Sequence, residues 1–250
     1  MPTKAQRRKA LEILLTDLYD TFKGITTRIR GRPNASAKLG MRALMWLHFA
    51  QRPLKLIELQ HALSVQKGHI EFDPDYLPSP KVFLDCCLGL VLVDETSTVR
   101  FMHFILEEYF GVHARTEFPN RYSSIAETCL TYFNFGKLRQ PCKDIETLYN
   151  KMTEYALLDY AALYWGTYVK QQCTDDITKL VRMLVENESE CPPCAIQALY
   201  LRIGTSDYYN PTTAKKFSGI HVIAYFRLVE HMSCFTEVEL EDDTGKTPLL

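Results

Sequence analysis

Two motifs near the C-terminal end of the sequence have the residue types of phosphate-binding or catalytic sites. Residues 245–247 (GKT) match the end of a phosphate-binding loop, in which backbone N–H groups wrap the phosphates. That loop needs a glycine five residues earlier, and this position holds Leu240. Residues 243–245 (DTG) match the aspartic protease triplet, which also needs a second carboxylate within a β-fold. Neither motif predicts an activity here.

A pair of cysteines separated by two prolines, Cys191 and Cys194, has the spacing of redox and zinc motifs. Structural zinc needs four ligands, so Cys173 and Cys234 would have to join the pair. The prolines and the lack of a βαβ context argue against a redox motif. Since no secretory signal is apparent at the N-terminus, the eight cysteines are predicted to be reduced, buried thiols.

Other potential catalytic groups lack partners at useful spacing. The seven histidines form no H-x-x-x-H or H-E-x-x-H pair, and the sequence contains no G-x-S-x-G nucleophile motif. The carboxylates Asp85, Glu107 and Glu108 lie beside apolar residues but have no nucleophile or metal partner. We therefore expect a protein that is not an enzyme, with no cofactor and no catalytic, metal-binding or nucleic-acid-binding residues.

Residues 80–110 contain three structural patterns in succession. Pro80 suits the first turn of a helix and Ser79 its N-cap, and apolar residues follow at helical spacing until Gly89. Residues 90–93 and 99–102 predict two short strands joined by a polar turn at 94–97. Residues 103–110 predict a helix. A helix, a two-stranded wing and a helix form the second half of a winged helix.

The preceding residues predict the first half of the same fold. Apolar spacing predicts helices over residues 5–30, with a break near Gly24, and over 36–50 and 54–64. Residues 28–34 and 65–79 are predicted as loops, and the short turn at 51–53 gives helix-turn-helix spacing. Six residues are expected to share one core: Trp46, Leu47, Leu59, Phe83, Leu92 and Phe101.

The rest of the sequence predicts further helices. They cover residues 118–135, 155–172, 177–187, 195–203 and 219–231, with a polar linker at 136–144 and a loop at 207–213. No apolar run is long enough to span a bilayer. The predicted fold is therefore mainly α: a winged helix followed by an α-helical linker region.

The charges of the winged helix favour protein contact over DNA contact. The net charge of −1 creates no global attraction for nucleic acid. The recognition helix, residues 81–88 (KVFLDCCL), has one cation and one anion, whereas groove-reading helices present several Arg, Lys, Asn or Gln side chains. Asp94 and Glu95 in the wing turn would repel phosphates.

Two segments resemble a known family. Residues 50–59 (AQRPLKLIEL) resemble the A-x-R-P-L-x-x-x-E-L segment of fungal NACHT-type proteins. Residues 99–110 (VRFMHFILEEYF) resemble a second segment of these proteins, with Ile105 where serine is usual. Together they resemble the winged helix domain named after the GPI inositol-deacylase. In that family it follows a NACHT nucleotide-binding domain and precedes ankyrin or other repeats.

Weaker similarities extend this resemblance along the chain. Residues 118–133 and 157–166 resemble the family's helical linker, residues 242–249 the opening of an ankyrin repeat, and residues 219–226 a degenerate repeat. The sequence stops soon after that opening, so residues 239–250 are expected to be poorly ordered. The deacylase serine motif and the Walker A motif are absent. The implied domains are an N-terminal helix and linker (1–35), the winged helix (36–115), the helical linker region (116–215) and a degenerate or truncated ankyrin repeat (216–250).

The resemblance implies a non-catalytic regulatory module of a NACHT-ankyrin (STAND-type) signalling protein, which couples a nucleotide-binding domain to a repeat sensor. The expected partner is a protein, either the NACHT or repeat domains of the same polypeptide or another chain. No nucleic acid, membrane or small-molecule substrate is expected, and the expected location is cytoplasmic. The alternative is a DNA-binding winged-helix regulator, which fold analogy and the cluster Arg28, Arg30 and Arg32 favour.

Overall fold

A computed structural model describes residues 3–186, 193–203 and 217–234. In these ranges the protein is mainly α-helical and contains a two-stranded antiparallel sheet, which confirms the predicted fold class. The elements are α1 (Lys4–Arg30), α2 (Asn34–Phe49), α3 (Leu56–Ser64), α4 (Pro80–Cys86), β1 (Val91–Val93), β2 (Val99–Phe101), α5 (Ile105–Glu117), α6 (Arg121–Phe133), α7 (Gly136–Arg139), α8 (Ile145–Glu154), α9 (Leu158–Gln171), α10 (Asp175–Val185), α11 (Cys194–Ile203) and α12 (Gly219–Phe226).

The described chain divides into two compact units. The first unit comprises residues 3–56 and 78–119, and the second comprises residues 57–77 and the described residues from 120 onward. Helices α1, α2, α4 and α5 and the two strands lie in the first unit, whereas nearly all of α3 lies in the second. The winged-helix sequence thus contributes to both units.

Helix α2 is the central helix of the first unit. It packs against α1, α4 and β2, and its side chains Ala43, Leu44 and Trp46 are fully buried, as their helical spacing predicts. Helix α5 packs against α1 and adds Tyr109 to this core. The ring of Tyr109 meets that of Phe22 edge-to-face, with the ring centroids 5.8 Å apart.

The predicted wing is confirmed. Strands β1 and β2 pair antiparallel, and Val91 lies opposite Phe101. Helix α4 ends before the wing, and the two residues that follow its C-cap, Leu88 (φ 49°) and Gly89 (φ 80°), are left-handed. Glycine adopts this conformation without steric cost, so Gly89 allows the chain to leave the helix and enter β1.

The N-terminal helix differs from its prediction in two ways. Helix α1 runs without a break through Gly24, because an exposed glycine costs a long helix only about 1 kcal/mol, while Phe22 and Ile29 are buried on either side of it. The predicted loop at 28–34 shrinks to residues 31–33 because α1 continues to Arg30 and α2 already begins at Asn34.

Of the six residues that were expected to share one core, three are fully buried and three are only half-buried. Trp46 and Phe83 are fully buried in the first unit, and Leu59 is fully buried within the part of α3 that belongs to the second unit. Leu47, Leu92 and Phe101 are only half-buried. In the wing, Val91 and Val99 take the buried positions instead, so the pleat directs the smaller β-branched residues inward.

The second unit is a helical bundle arranged around α9. Helix α9 packs against α6, α11 and α12, and α10 packs against α6 and α12. Tyr160, Trp165 and Tyr168 of α9 are buried together with Tyr132 of α6. The aromatic-rich spacing that predicted a helix here therefore marks the centre of a hydrophobic core.

Residues 57–77 are part of this second unit. The N–H of Gly136 donates to the carbonyl of Ile70 at 2.9 Å. Lys67 Nζ lies 3.0 Å from Glu127 Oε1 and 2.8 Å from Asp176 Oδ2, and its hydrogen bond to Asp176 is the main reason that its pKa is raised. The predicted loop at 65–79 thus has defined anchors, and it contains a 3-10 turn at Pro74–Tyr76.

Three predictions in this unit need correction. The polar linker at 136–144 contains the short helix α7, and the unpredicted helix α8 follows it. The apolar residues of α8 recur at helical spacing, at Ile145, Leu148, Tyr149 and Met152, so this pattern could have indicated the helix from the sequence. The last predicted helix, 219–231, ends at Phe226 because Arg227 is left-handed (φ 56°), and a 3-10 turn at Val229–Cys234 follows.

Several expectations concern residues outside the described ranges. These are the loop at 207–213, the ankyrin-like opening at 242–249 and the order of residues 239–250. Cys191 also lies outside the described ranges. No helix in the described ranges combines the length and the apolar character that a membrane span requires.

Candidate interaction surface

The surface that a winged helix offers to a partner begins with α4. Ser79 caps this helix, since its hydroxyl accepts a hydrogen bond from the N–H of Val82 at 3.4 Å. Phe83 and Cys86 point into the core, while Lys81, Val82 and Asp85 are exposed. Val82 exposes half of its surface. The outward face of α4 is therefore part apolar and carries one cation and one anion.

Two of the three arginines that favour DNA binding are engaged within the first unit. Arg30 Nη2 lies 2.5 Å from a carboxylate oxygen of Glu117 and 3.1 Å from its backbone carbonyl oxygen, which ties the end of α1 to the end of α5. Arg32 Nη1 donates to the backbone carbonyl of Asp85 at 2.6 Å, in the last turn of α4. These contacts tie the end of α1 to the end of α5 and the following loop to α4.

The wing turn is organised around one carboxylate. Asp94 accepts hydrogen bonds from the hydroxyl of Thr96 (2.7 Å), from the N–H of Thr98 (3.0 Å) and from Arg100 Nε (2.7 Å). The hydroxyl of Thr96 contributes most to holding the pKa of the Asp94 carboxyl well below its usual range, and the N–H of Thr98 and Arg100 add to this effect. The Asp94 carboxylate is therefore held ionised in the turn, where it pairs with Arg100, and Glu95 beside it is exposed.

A third segment extends the wing. The N–H of Val99 donates to the carbonyl of Leu54 (3.0 Å), and the N–H of Leu56 donates to the carbonyl of Ser97 (2.8 Å). Lys55 Nζ donates to the backbone carbonyl of Thr96 at 2.9 Å. Residues 54–55 thus line the edge of β2 before α3 begins at Leu56, which corrects the predicted helix start at residue 54.

Exposed apolar side chains follow the wing and continue on α5. Met102 is 56% exposed and Phe104 is 67% exposed, and the ring of Phe104 stacks on that of His103 with centroids 4.6 Å apart. Val112 of α5 is 71% exposed. The carboxylates Glu107 and Glu108 are also exposed, as predicted for helix-surface groups. This part of the first unit offers apolar contacts beside acidic ones.

Of the four cysteines in the zinc-like group considered from sequence, the structure describes the surroundings of Cys173 and Cys194 only. Within the described ranges, no three His, Cys, Asp or Glu residues are placed to hold a metal ion. Cys173 is exposed and its Sγ lies 3.6 Å from Nε2 of His231, while Cys194 is buried beside Cys142, a residue that no sequence motif indicated. The predicted burial of thiols holds for five cysteines: Cys86, Cys87, Cys129, Cys142 and Cys194.

The comparisons with known proteins agree with this architecture. Residues 29–119 match the family model described as GPI inositol-deacylase, winged helix domain. The match begins in the last turn of α1 and ends just after α5, so it spans the helix-turn-helix segment, α4 and the wing. No curated protein and no solved structure matches the chain significantly.

Proposed function

We propose that this chain is a non-catalytic regulatory module of a NACHT-ankyrin signalling protein, and that it couples a nucleotide-binding domain to a repeat sensor through protein–protein contacts. The winged-helix match at residues 29–119 and the NACHT-like segments at 50–59 and 99–110 support this proposal. The observation that carries it is the surface of α4. Its exposed Val82 stands between one lysine and one aspartate, so it suits a protein partner better than a phosphate backbone.

The division into units supports a relay role. Residues matched by the winged-helix model belong to both compact units, and the chain passes from one unit to the other at residues 56–57, 77–78 and 119–120. The relay that we propose would pass through these three covalent connections. Such connections are a physical route by which a change at one domain reaches another.

The test uses a NACHT domain encoded in the same reading frame upstream of Met1, produced separately and titrated with this chain by calorimetry. We expect binding that Val82→Asp weakens at least tenfold. Met183→Asp on α10 is the matched control, since Met183 is also half exposed but lies in the second unit. Equal effects of the two substitutions, or the absence of such an encoded domain, would contradict the proposal.

A gel-shift titration at low and moderate salt tests the DNA-binding alternative. Phosphate contacts make DNA affinity strongly salt-dependent, so a winged helix that reads DNA should shift duplexes at low salt and lose them as salt rises. We expect no such shift, because Arg30 and Arg32 are engaged within the unit and the wing tip is acidic. Micromolar ATP binding with turnover by this chain alone would separately overturn its non-catalytic role.

A further inference from the structure

Cys142 and Cys194 form a buried thiol pair in the second unit. Cys142 lies in the segment between α7 and α8, and Cys194 is the first residue of α11. Their Sγ atoms are 3.6 Å apart, and both residues are almost fully buried. A disulfide bond is about 2.0 Å long, so small side-chain rotations would bring the two sulfurs to bonding distance.

A side-chain amide holds this pair in register. Gln197 Oε1 accepts a hydrogen bond from the N–H of Cys142 at 2.7 Å, and Gln197 Nε2 donates to the carbonyl of Cys142 at 3.0 Å. Gln197 lies one helical turn after Cys194 and is itself buried, so the same face of α11 supplies both the clamp and the second thiol. The backbone of Cys142 is thereby fixed opposite the Cys194 sulfur.

The two thiols have different electrostatic environments. The two Sγ atoms share a hydrogen bond, and this hydrogen bond is the main reason that the pKa of Cys142 is lowered. The ammonium of Lys151 assists, and two backbone carbonyls, those of Lys137 (2.6 Å) and Gln140 (2.8 Å), hold it close to Cys142. The same hydrogen bond and burial raise the pKa of Cys194. Cys142 is thus the better nucleophile and Cys194 the resolving thiol.

We propose that Cys142 and Cys194 are a redox-active dithiol site that a small hydroperoxide oxidises to an intramolecular disulfide. The Cys142 thiolate attacks one peroxide oxygen, the O–O bond breaks, and Cys142 becomes a sulfenic acid while hydroxide leaves and takes up a proton. The sulfur of Cys194 then attacks the sulfur of Cys142, and the sulfenic oxygen leaves as water with the thiol proton. Two thiols lose two electrons in total, and hydrogen peroxide is reduced to two water molecules.

The disulfide would tie the segment between α7 and α8 covalently to α11. Without it, the polar links described between Cys142 and this helix are the double hydrogen bond of Gln197 and the hydrogen bond between the two sulfurs. The cross-link closes a long loop between residues 142 and 194, and long loops lose more entropy in the unfolded chain when they are closed. Oxidation should therefore raise the thermal midpoint of the second unit.

The test is disulfide mapping of the folded, full chain. The reduced protein is exposed to hydrogen peroxide, blocked with N-ethylmaleimide and digested without reductant, and the peptides are identified by mass spectrometry. We expect a peptide pair linked through Cys142 and Cys194, which dithiothreitol separates, and a thermal midpoint that rises by several degrees on oxidation. Recovery of both residues in alkylated form, or linkage of Cys194 to Cys191, would overturn the proposal.

Three variants separate this site from random oxidation. Cys191→Ser should leave the linkage unchanged, and Cys194→Ser should leave a Cys142 sulfenic acid that dimedone traps. Gln197→Leu should slow disulfide formation several-fold while alkylation of the exposed Cys173 keeps its rate, because only the clamp is lost. An unchanged rate in Gln197→Leu would refute the positioning role of Gln197. The mapping of wild type and Cys191→Ser decides the proposal even where Cys194→Ser does not fold.

Discussion

Replacing Gly40 with alanine should bring a methyl group against a backbone carbonyl in the first unit. Helices α2 and α4 approach each other closely at this glycine, where a Cβ atom would lie 2.6 Å from the carbonyl oxygen of Cys86 and 3.0 Å from Cγ2 of Ile29. Ordinary contacts of a Cβ atom begin near 3.4 Å. The carbonyl cannot rotate away as a flexible side chain would, so α2 and α4 must separate locally.

The expected magnitude combines two opposing effects. Alanine in place of glycine inside a helix gains about 0.8–1 kcal/mol of helix propensity. Overpacking of a core by one methyl group costs about 1–3 kcal/mol. Gly40→Ala should therefore be neutral to destabilising by about 2 kcal/mol. Gly24→Ala and Gly111→Ala are matched controls in exposed parts of α1 and α5, where no atom lies within 4 Å of the added methyl group, and each should stabilise by about 0.5–1 kcal/mol.

The assay is urea unfolding followed by tryptophan fluorescence. The chain has two tryptophans, with Trp46 buried in the first unit and Trp165 buried in the second. In a Trp165→Phe background the emission therefore reports the first unit alone. The free energy of unfolding of Gly40→Ala should lie about 1–3 kcal/mol below those of the two controls. If it stabilises the unit as much as they do, the close approach of α2 and α4 is wrong.

Two further predictions concern pH and the wing, and a third concerns the tail. Burial lowers the pKa of His61 from 6.5 to about 4, so this histidine takes up a proton more readily in the unfolded chain. The free energy of unfolding should therefore not depend on His61 above pH 6.5, and should fall by up to about 3 kcal/mol as the pH drops towards 4. Urea midpoints across this range should fall less steeply in His61→Gln, and equal slopes would contradict the assignment. Asp94→Asn should speed hydrogen exchange of the Thr98 amide, because this N–H donates to Asp94, whereas the control Glu95→Gln should not. Faster exchange in both variants would mean that the negative charge of the turn, and not the hydrogen bond to Asp94, protects this amide. Deleting residues 240–250 should leave the thermal midpoint nearly unchanged, whereas a drop of several degrees would show that the tail docks on the helical region.

The sequence determined the elements whose causes are local. Ser79 and Pro80 mark the start of α4, and the α4 cap and the wing strands form close to where these residues and the alternating apolar pattern predict them. Such features depend on side-chain to backbone contacts within a few residues, which composition and spacing reveal directly. The sequence also carried the winged-helix similarity, since residues 50–59 and 99–110 lie inside the matched range 29–119.

The tertiary structure decided whatever depends on partners far apart in the chain. Residues 54–55 read as the start of a helix, but the backbone of Leu54 pairs with Val99 instead, because an edge strand offered hydrogen bonds that a first helical turn leaves unmade. Helix α1 stays intact through Gly24 because burial of residues on both sides outweighs a small loss of propensity.

The thiol pair depended on the tertiary structure in the same way. Sequence spacing drew attention to Cys191 and Cys194, whereas the fold places Cys194 against Cys142, 52 residues away. The clamp that aligns them, Gln197, has no sequence signature because its two hydrogen bonds go to the backbone of Cys142. Sequence spacing can indicate a reactive site when its residues lie in one helix, strand or loop. Here the two cysteines lie in separate segments, which only folding brings together.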